Sequence, residues 1–419
     1  MPGSIRWILS VPANEMVSKM KILEKVQVKH QYSVVQALYW MTSCALAGYA
    51  AVYLQDRGLS NTLIGVTVGG AACLSMVIQP LAAQVVESIS GLTVKKVIQA
   101  LIVMMAVMFG VLTVIPVPVA GVVILYMGMN TLNYCMPPML SAMGMEFINR
   151  GYYLNFGLSR GLGSISYAVC AAVLGIVIDR FFPGVLGYIY VVLAILLFLA
   201  VSAMKDLEEE PDSLQGQELM KQERKPEESI WKTVCKNKTF LCLMIGFCLA
   251  NMNNAAIATY TVNIIKNLGG SDTILGFANF VSAASEMPVM LLFGYFMKKG
   301  NCIRLLKISA VFFLIKPLVL VSANALPLVI LGLGLQGLSF GLFTPAAVYY
   351  VNSTLIPEQR VKGQAVFSVI TAGAATGGGN VLGGWLQDAF GLQAMLWVCA
   401  AMALVGVLFV IGLSEKEKV

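Results

Sequence analysis

Residues 205–232, KDLEEEPDSLQGQELMKQERKPEESIWK, interrupt a chain of 419 residues that is otherwise strongly apolar. The stretch is mixed in sign and carries Pro211 and Pro226, so it reads as a solvated tether and not as a folded element. Six apolar runs precede it, at 32–55, 61–86, 96–116, 119–143, 157–178 and 184–204. Six more follow, at 239–264, 273–297, 304–322, 325–351, 363–386 and 391–413. A helix needs about 20 apolar residues to cross a bilayer, so every run is a spanning candidate. Pro116, Pro118 and Pro183 fall in connections, where helices should stop. The expected fold is an all-α membrane protein with twelve transmembrane helices in two six-helix bundles. Its parts would be a cytoplasmic N-terminal segment (1–31), a first bundle (32–204), a cytoplasmic linker (205–238), a second bundle (239–413) and a cytoplasmic tail (414–419).

Composition points the same way. Hydrophobic residues make up 58% of the chain and charged residues 12%, where a soluble domain carries about 45–50% and about 25%. With a mean hydropathy of +0.80, such a chain could not clothe itself in polar surface, and a cytosolic enzyme is excluded. The net charge of +7 might suggest nucleic acid, but the positions of the cations decide otherwise. If both termini are cytoplasmic, 23 of the 28 Lys and Arg residues fall on the inside, and only Arg57, Arg180 and Lys266 lie outside. The basic excess therefore reads as a topology signal and an attraction to anionic lipid. No nucleic-acid partner is expected. Of the nine cysteines, Cys44, Cys73, Cys135, Cys170, Cys242, Cys248 and Cys399 sit inside apolar runs, with no C-x-x-C spacing. His30 is the single histidine and lies outside the runs, so no metal or organic cofactor is expected. The first thirty residues hold five cations but no apolar core ahead of a cleavage site, so no secretory signal is expected.

Three charges lie where hydrocarbon should exclude them. Each costs about 2.5–3.5 kcal/mol or more at mid-membrane and needs a reason. Arg160 opens the fifth span, Glu286 sits mid-way along the eighth, and Lys316 sits mid-way along the ninth, followed by Pro317. A water-filled hollow between the two halves would receive all three. There Glu286 and Lys316 are the candidates for proton handling, and Arg160 for solute binding. The alternatives are a structural Glu–Lys pair between helices and an Arg160 that snorkels to the interface. Softer candidates for substrate contacts are Gln36 and Tyr39 in the first span and Tyr167, which shares a helical face with Arg160. Others are Asn253 and Asn254 in the seventh span, Asn279 seven residues before Glu286, and Gln336 in the tenth. Asn251, Asn253 and Asn254 cannot share one helix face, so some must hydrogen-bond between helices. The glycine-rich TAGAATGGGNVLGGW (371–385) suits close helix approach.

At these residues the chain resembles the major facilitator superfamily, and within it the branch of lactose permease, nucleoside permeases and phenylpropionate permease. YLNFGLSRGLGSISYAVCAAVLGIV (153–177) resembles the fifth helix of lactose permease. The resemblance puts Arg160 on the sugar-binding arginine and Tyr167 on the sugar-stacking tryptophan. SAASEMPVM (282–290) resembles the eighth-helix acidic motif, with Glu286 about a turn from the permease's own glutamate, and Lys316 falls near a ninth-helix arginine used in proton coupling. LGLQGLSFGLF (333–343) resembles the tenth-helix signature, LQDRGLSNTLIG (54–65) the first external turn, and residues 356–391 the region after the signature. Several positions depart from the pattern. Gln336 stands for the signature histidine, Ala142 for a sugar-binding glutamate, and Gln84 for an aspartate of the first-loop motif, while the seventh span has no acid. Galactoside specificity therefore does not transfer.

What the resemblance implies is a monomeric secondary transporter that exposes a midplane site to each side in turn. The expected mode is symport of a small polar organic solute (a sugar, nucleoside or aromatic acid) with the proton as coupling ion, in a bacterial cytoplasmic membrane. Two cations against one carboxylate leave an anionic solute open. An efflux antiporter is the alternative within transport. An enzyme should show a nucleophile with its base or a metal cluster in the spans, and none is present in the sequence. A sensor should carry an output domain, for which linker and tails are too short.

Overall fold

The computed structural model describes residues 13–88, 91–154, 156–206, 237–299 and 301–413. Most of the 205–238 linker and the whole 414–419 tail lie outside the described residues. The described chain is helical throughout. The N-terminal half comprises α1 (Ala13–Ser43), α2 (Ala50–Asp56), α3 (Asn61–Ser88), α4 (Val94–Val114), α5 (Val119–Asn149), α6 (Phe156–Arg180) and α7 (Val185–Ser202). The C-terminal half comprises α8 (Lys238–Asn267), α9 (Asp272–Lys299), α10 (Cys302–Val321), α11 (Leu326–Gly334), α12 (Leu342–Thr354), α13 (Pro357–Ser368), α14 (Ala375–Phe390) and α15 (Leu392–Ile411). Helix α1 begins at Ala13, inside the 1–31 segment.

Three spans are broken and continue through wider π turns. Cys44–Gly48 joins α1 to α2 with a bend of 46°. Gly337–Gly341 joins α11 to α12, and Val369–Ala374 joins α13 to α14. Among the described residues, ten helices are long and apolar enough to cross a membrane on their own, and the bent pair, taken as one span, makes eleven. The twelfth, α10, is short and carries Arg304, Lys307 and Lys316 within its 20 residues. Composition alone therefore ranks it below the others, although it packs as a full member of its bundle.

Each half has its own aromatic centre. Tyr53, Phe109, Tyr126 and Tyr190 form one, with ring centroids 4.9–6.0 Å apart along the chain of contacts. Phe247, Phe313 and Phe343 form the other, closest at 4.3 Å. The opposite helix faces leave large side chains bare, among them Val107 at 59%, Leu291 at 73% and Trp397 at 56% exposure. A belt of that kind is unstable in water and is suited to acyl chains.

The halves meet along α3 against α14 and α6 against α9. Glycine makes both crossings close. A Cβ at Gly384 would lie 2.2 Å from the Asn61 carbonyl oxygen, and one at Gly276 would lie 2.6 Å from that of Ala171. Side-chain hydrogen bonds between described residues of the two halves all lie at one end, the far face opposite the linker. There Asp388 accepts from the Thr62 amide at 2.7 Å and its hydroxyl at 2.6 Å, and from the Asn61 amide at 3.2 Å. Asp179 accepts from the Asp272 and Thr273 amides at 2.9 and 2.7 Å. Each aspartate ends a helix of one half and caps the first turn of a helix in the other. Asn263 completes the far face, donating to Asn61 and Gln387 at 2.9 and 2.7 Å.

Candidate functional site

Proline shapes the helices that carry the candidate site residues. It lacks an N–H, so it frees the carbonyl four residues earlier, and a buried free carbonyl needs a donor. Pro137 frees Asn133, whose oxygen accepts from the Tyr39 hydroxyl at 3.2 Å. Pro138 frees Tyr134, whose oxygen accepts from Gln79 Nε2 at 2.9 Å. Pro317 frees Phe313, whose oxygen accepts from Asn253 Nδ2 at 3.1 Å. Tyr39 and Asn253, candidates for substrate contact from the sequence, are thus fully buried and committed to neighbouring backbone. Gln36 is buried too, donating to the Tyr32 hydroxyl at 2.9 Å, which itself donates to the Leu140 carbonyl at 3.0 Å.

The C-terminal half carries a chain of polar contacts over four helices. Lys316 Nζ, on α10, donates to Asn254 Oδ1 of α8 at 2.9 Å and to Gln336 Oε1 at 2.6 Å. Gln336 follows α11 and donates through Nε2 to Glu286 Oε1 of α9 at 3.2 Å. Glu286 and Lys316 are therefore relayed through an amide and do not pair directly. Lys316 is only 2% exposed, while Glu286 and Asn254 are half-buried. An amide suits this place because it accepts from the ammonium with one end and donates to the carboxylate with the other.

Close packing brings the relay together. A Cβ on Gly337 would lie 2.1 Å from the Ser285 carbonyl oxygen, and one on Gly341 would lie 3.2 Å from Glu286 Cα. The Gly337 amide also donates to Ser285 Oγ at 2.9 Å. The two glycines bracket the π turn, and the turn presses the tenth span onto α9 beside Glu286.

The N-terminal half holds Arg160. Its guanidinium lies 4.0 Å from the ring centroid of Trp40, a cation–π contact. Trp40 in turn meets Tyr167 edge-on at 6.3 Å, and Gly163 makes room for the indole. Arg160 is exposed and has no carboxylate or hydrogen-bond acceptor among the described residues. It lies within electrostatic reach of Glu286 across the gap, as does Tyr167. The sequence pairs Arg160 with Tyr167 by helical spacing, and Trp40 is what joins them. Asn279 is half-buried on α9 and makes no side-chain hydrogen bond among the described residues.

Toward the linker face a cavity of about 1040 Å³ opens between α3, α5 and the π turn before α14. Met76, Pro80, Pro138, Met139, Ala142 and Val369 are among its lining residues. Sequence reasoning did not find this lobe, because its residues come from four separate segments and most read as ordinary apolar wall. The far-face aspartates escaped it as well: Asp388 and Thr62 are 326 residues apart.

The relatives this chain resembles are transporters, not enzymes. The chain is 25% identical over 380 residues to a maltose permease from Geobacillus stearothermophilus, covering 89% of this chain and 91% of that protein. It is 24% identical over 264 residues to the uncharacterized transporter YwbF of Bacillus subtilis, covering 63% of each. Among solved structures, the nucleoside transporter NupG superposes with a TM-score of 0.73 at 15% identity, over 92% of this chain and 97% of that one. The D-xylose-proton symporter gives a TM-score of 0.68 at 15% identity, over 93% and 98%. These two likenesses establish the fold. The family model described as the MFS_1 like family matches residues 30–398, and the chain belongs to that family, as a multi-pass membrane transporter of the major facilitator superfamily.

Proposed function

We propose that the protein is a proton-coupled symporter that accumulates a small polar organic solute by alternating access, with both termini in the cytoplasm of a bacterial cell. The observation that carries this reading is the relay Glu286–Gln336–Lys316–Asn254, with the exposed Arg160 within electrostatic reach of Glu286. A carboxylate beside a hollow can take up a proton from it, and the relay makes that proton felt on three further helices. When Glu286 is charged it attracts both the relay and Arg160 across the gap. When it is protonated that attraction falls, and the balance between open and closed arrangements shifts. Solute binding at Arg160 acts on the same balance, which is what couples the two fluxes.

The distribution of basic residues supports an orientation with the linker inside. In that orientation the far face is external, and its Asp388 and Asp179 caps hold it shut while the lobe opens inward. The maltose permease and the D-xylose-proton symporter support a polar organic solute and a proton by what their names state.

The test is proton movement in vesicles containing the purified protein and an external pH dye. Maltose, xylose, uridine and 4-phenylbutanoate would each be added outside, with empty vesicles as control. Symport predicts protein-dependent alkalinisation of the medium with at least one solute. Acidification on solute entry would mean antiport, and solute flux with no proton movement would remove the coupling.

A further inference from the structure

We propose that the transported solute is an amphipathic organic anion. Its carboxylate is held by Arg160, and its apolar or aromatic body occupies the methionine-lined lobe between α3, α5 and the π turn before α14. This names the substrate class of the transport reading above and rests on it.

The head group follows from charge. A guanidinium carries five donors in a planar fork matched to a carboxylate. Arg160 lies with Trp40 against it at 4.0 Å, and no acceptor among the described residues meets its edge. The other cation is already engaged: Lys316 donates to Asn254 and Gln336. Two cations face one carboxylate, Glu286, and the unengaged one is exposed. A permanent charge held at a membrane-embedded site calls for a counter-charge. Ala142, on the lobe wall, supplies none.

The body follows from the lobe. Met76, Pro80, Pro138, Met139 and Val369 present no donor or acceptor side chains. Of its five polar side chains two are spent on the protein itself, while Tyr134, Ser368 and Thr376 make no side-chain hydrogen bond among the described residues and stand among eleven apolar lining residues. Ser75 Oγ donates to the Ala72 carbonyl at 2.7 Å, and Gln79 Nε2 donates to the Tyr134 carbonyl at 2.9 Å. The hydroxyls of a sugar or a ribose would lose water there and find few partners. An aryl or alkyl group loses nothing by leaving water, and methionine adapts to its shape. The lobe and the anion site are linked by contacts: the lobe residue Tyr134 follows Asn133, whose carbonyl accepts from the Tyr39 hydroxyl at 3.2 Å, the Tyr39 ring meets Trp40 at 5.2 Å, and Trp40 lies against Arg160. The Tyr134 hydroxyl makes no hydrogen bond among the described residues and marks the junction between head and body. A volume of about 1040 Å³ leaves room for a body well beyond a single ring.

The test uses the full chain in lipid nanodiscs, with binding read by calorimetry and by the shift in melting temperature. The probes are 4-phenylbutanoate and octanoate, the uncharged 4-phenylbutanamide, and maltose and uridine. Both acids should bind and raise the melting temperature, with the amide weaker by about tenfold or more for loss of the charge-assisted bonds. Arg160→Gln should abolish the difference between acid and amide, and because Arg160 is exposed and unpaired the variant should fold. Ala142→Phe should fill the lobe and weaken octanoate by about tenfold while leaving butanoate, added as a short-chain control, little changed. Maltose or uridine binding with both acids silent would overturn the class while leaving the transport reading intact. So would an Arg160→Gln variant that binds 4-phenylbutanoate as the wild type does, or failure of both acids to bind. Failure of the coupling reading has a different signature: a solute that binds and crosses with no proton movement.

Discussion

Glu286 and Lys316 are legible from one residue in its setting, because a charge in an apolar run needs an explanation wherever it falls. What a single residue does not reveal is its partner. Tyr39 and Asn253 look like cavity residues, yet each meets a carbonyl that proline has freed, 94 and 60 residues away in sequence. Neighbouring asparagines thus differ in kind. Asn253→Ala should leave the Phe313 carbonyl unsatisfied and lower stability by about 1–3 kcal/mol, with transport per folded molecule preserved. Asn254→Ala should leave the melting temperature close to the wild type but lower pH-driven accumulation, because Lys316 loses one of its two acceptors. Thermal melts in detergent beside uptake assays separate the two outcomes. Equal effects from both variants would contradict the division between packing and relay.

At the scale of the element, the spans follow from twenty-residue apolar runs, and their breaks follow from contacts. Nothing in the sequence around Gly337 announces a π turn. The reason for it is spatial: the tenth span must approach α9 until backbone nearly touches backbone. Gly337→Ala should force the two helices apart and cost about 1–3 kcal/mol, read as a lower melting temperature together with loss of coupling. Gly110→Ala is the control, since its Cβ would meet nothing within 4 Å, and it should be neutral or slightly stabilising. The helix caps at the far face make a separate prediction. Asp388→Ala removes acceptors from the Asn61 and Thr62 amides, and loss of an N-cap costs about 0.5–2 kcal/mol. Hydrogen exchange at the start of α3 should quicken, and Asp179→Ala should do the same at the start of α9. Unchanged exchange would mean that the caps do not hold the far face.

For the whole molecule, the count of spans and the asymmetry of basic residues carried most of the architecture, because the bilayer allows few ways to satisfy a backbone. The place of Gln336 between Glu286 and Lys316, the Trp40 bridge, the apolar lobe and the far-face latches became visible only when distant segments met. The molecule that results is closed at one face by two reciprocal aspartate caps and opens toward the other. Between the two lies the Glu286–Gln336–Lys316–Asn254 relay, which the proposed symport assigns to the proton. Alternating access then requires that the caps break as the linker face closes, and the relay joins the helices that must move.

The most direct test of that coupling is Glu286→Gln, which fixes the relay in a form equivalent to protonated glutamate. In vesicles preloaded with a transported solute, the variant should retain counterflow exchange while losing accumulation driven by an inward proton gradient. Accumulation at the wild-type level would contradict the assignment of Glu286 as the proton-carrying group.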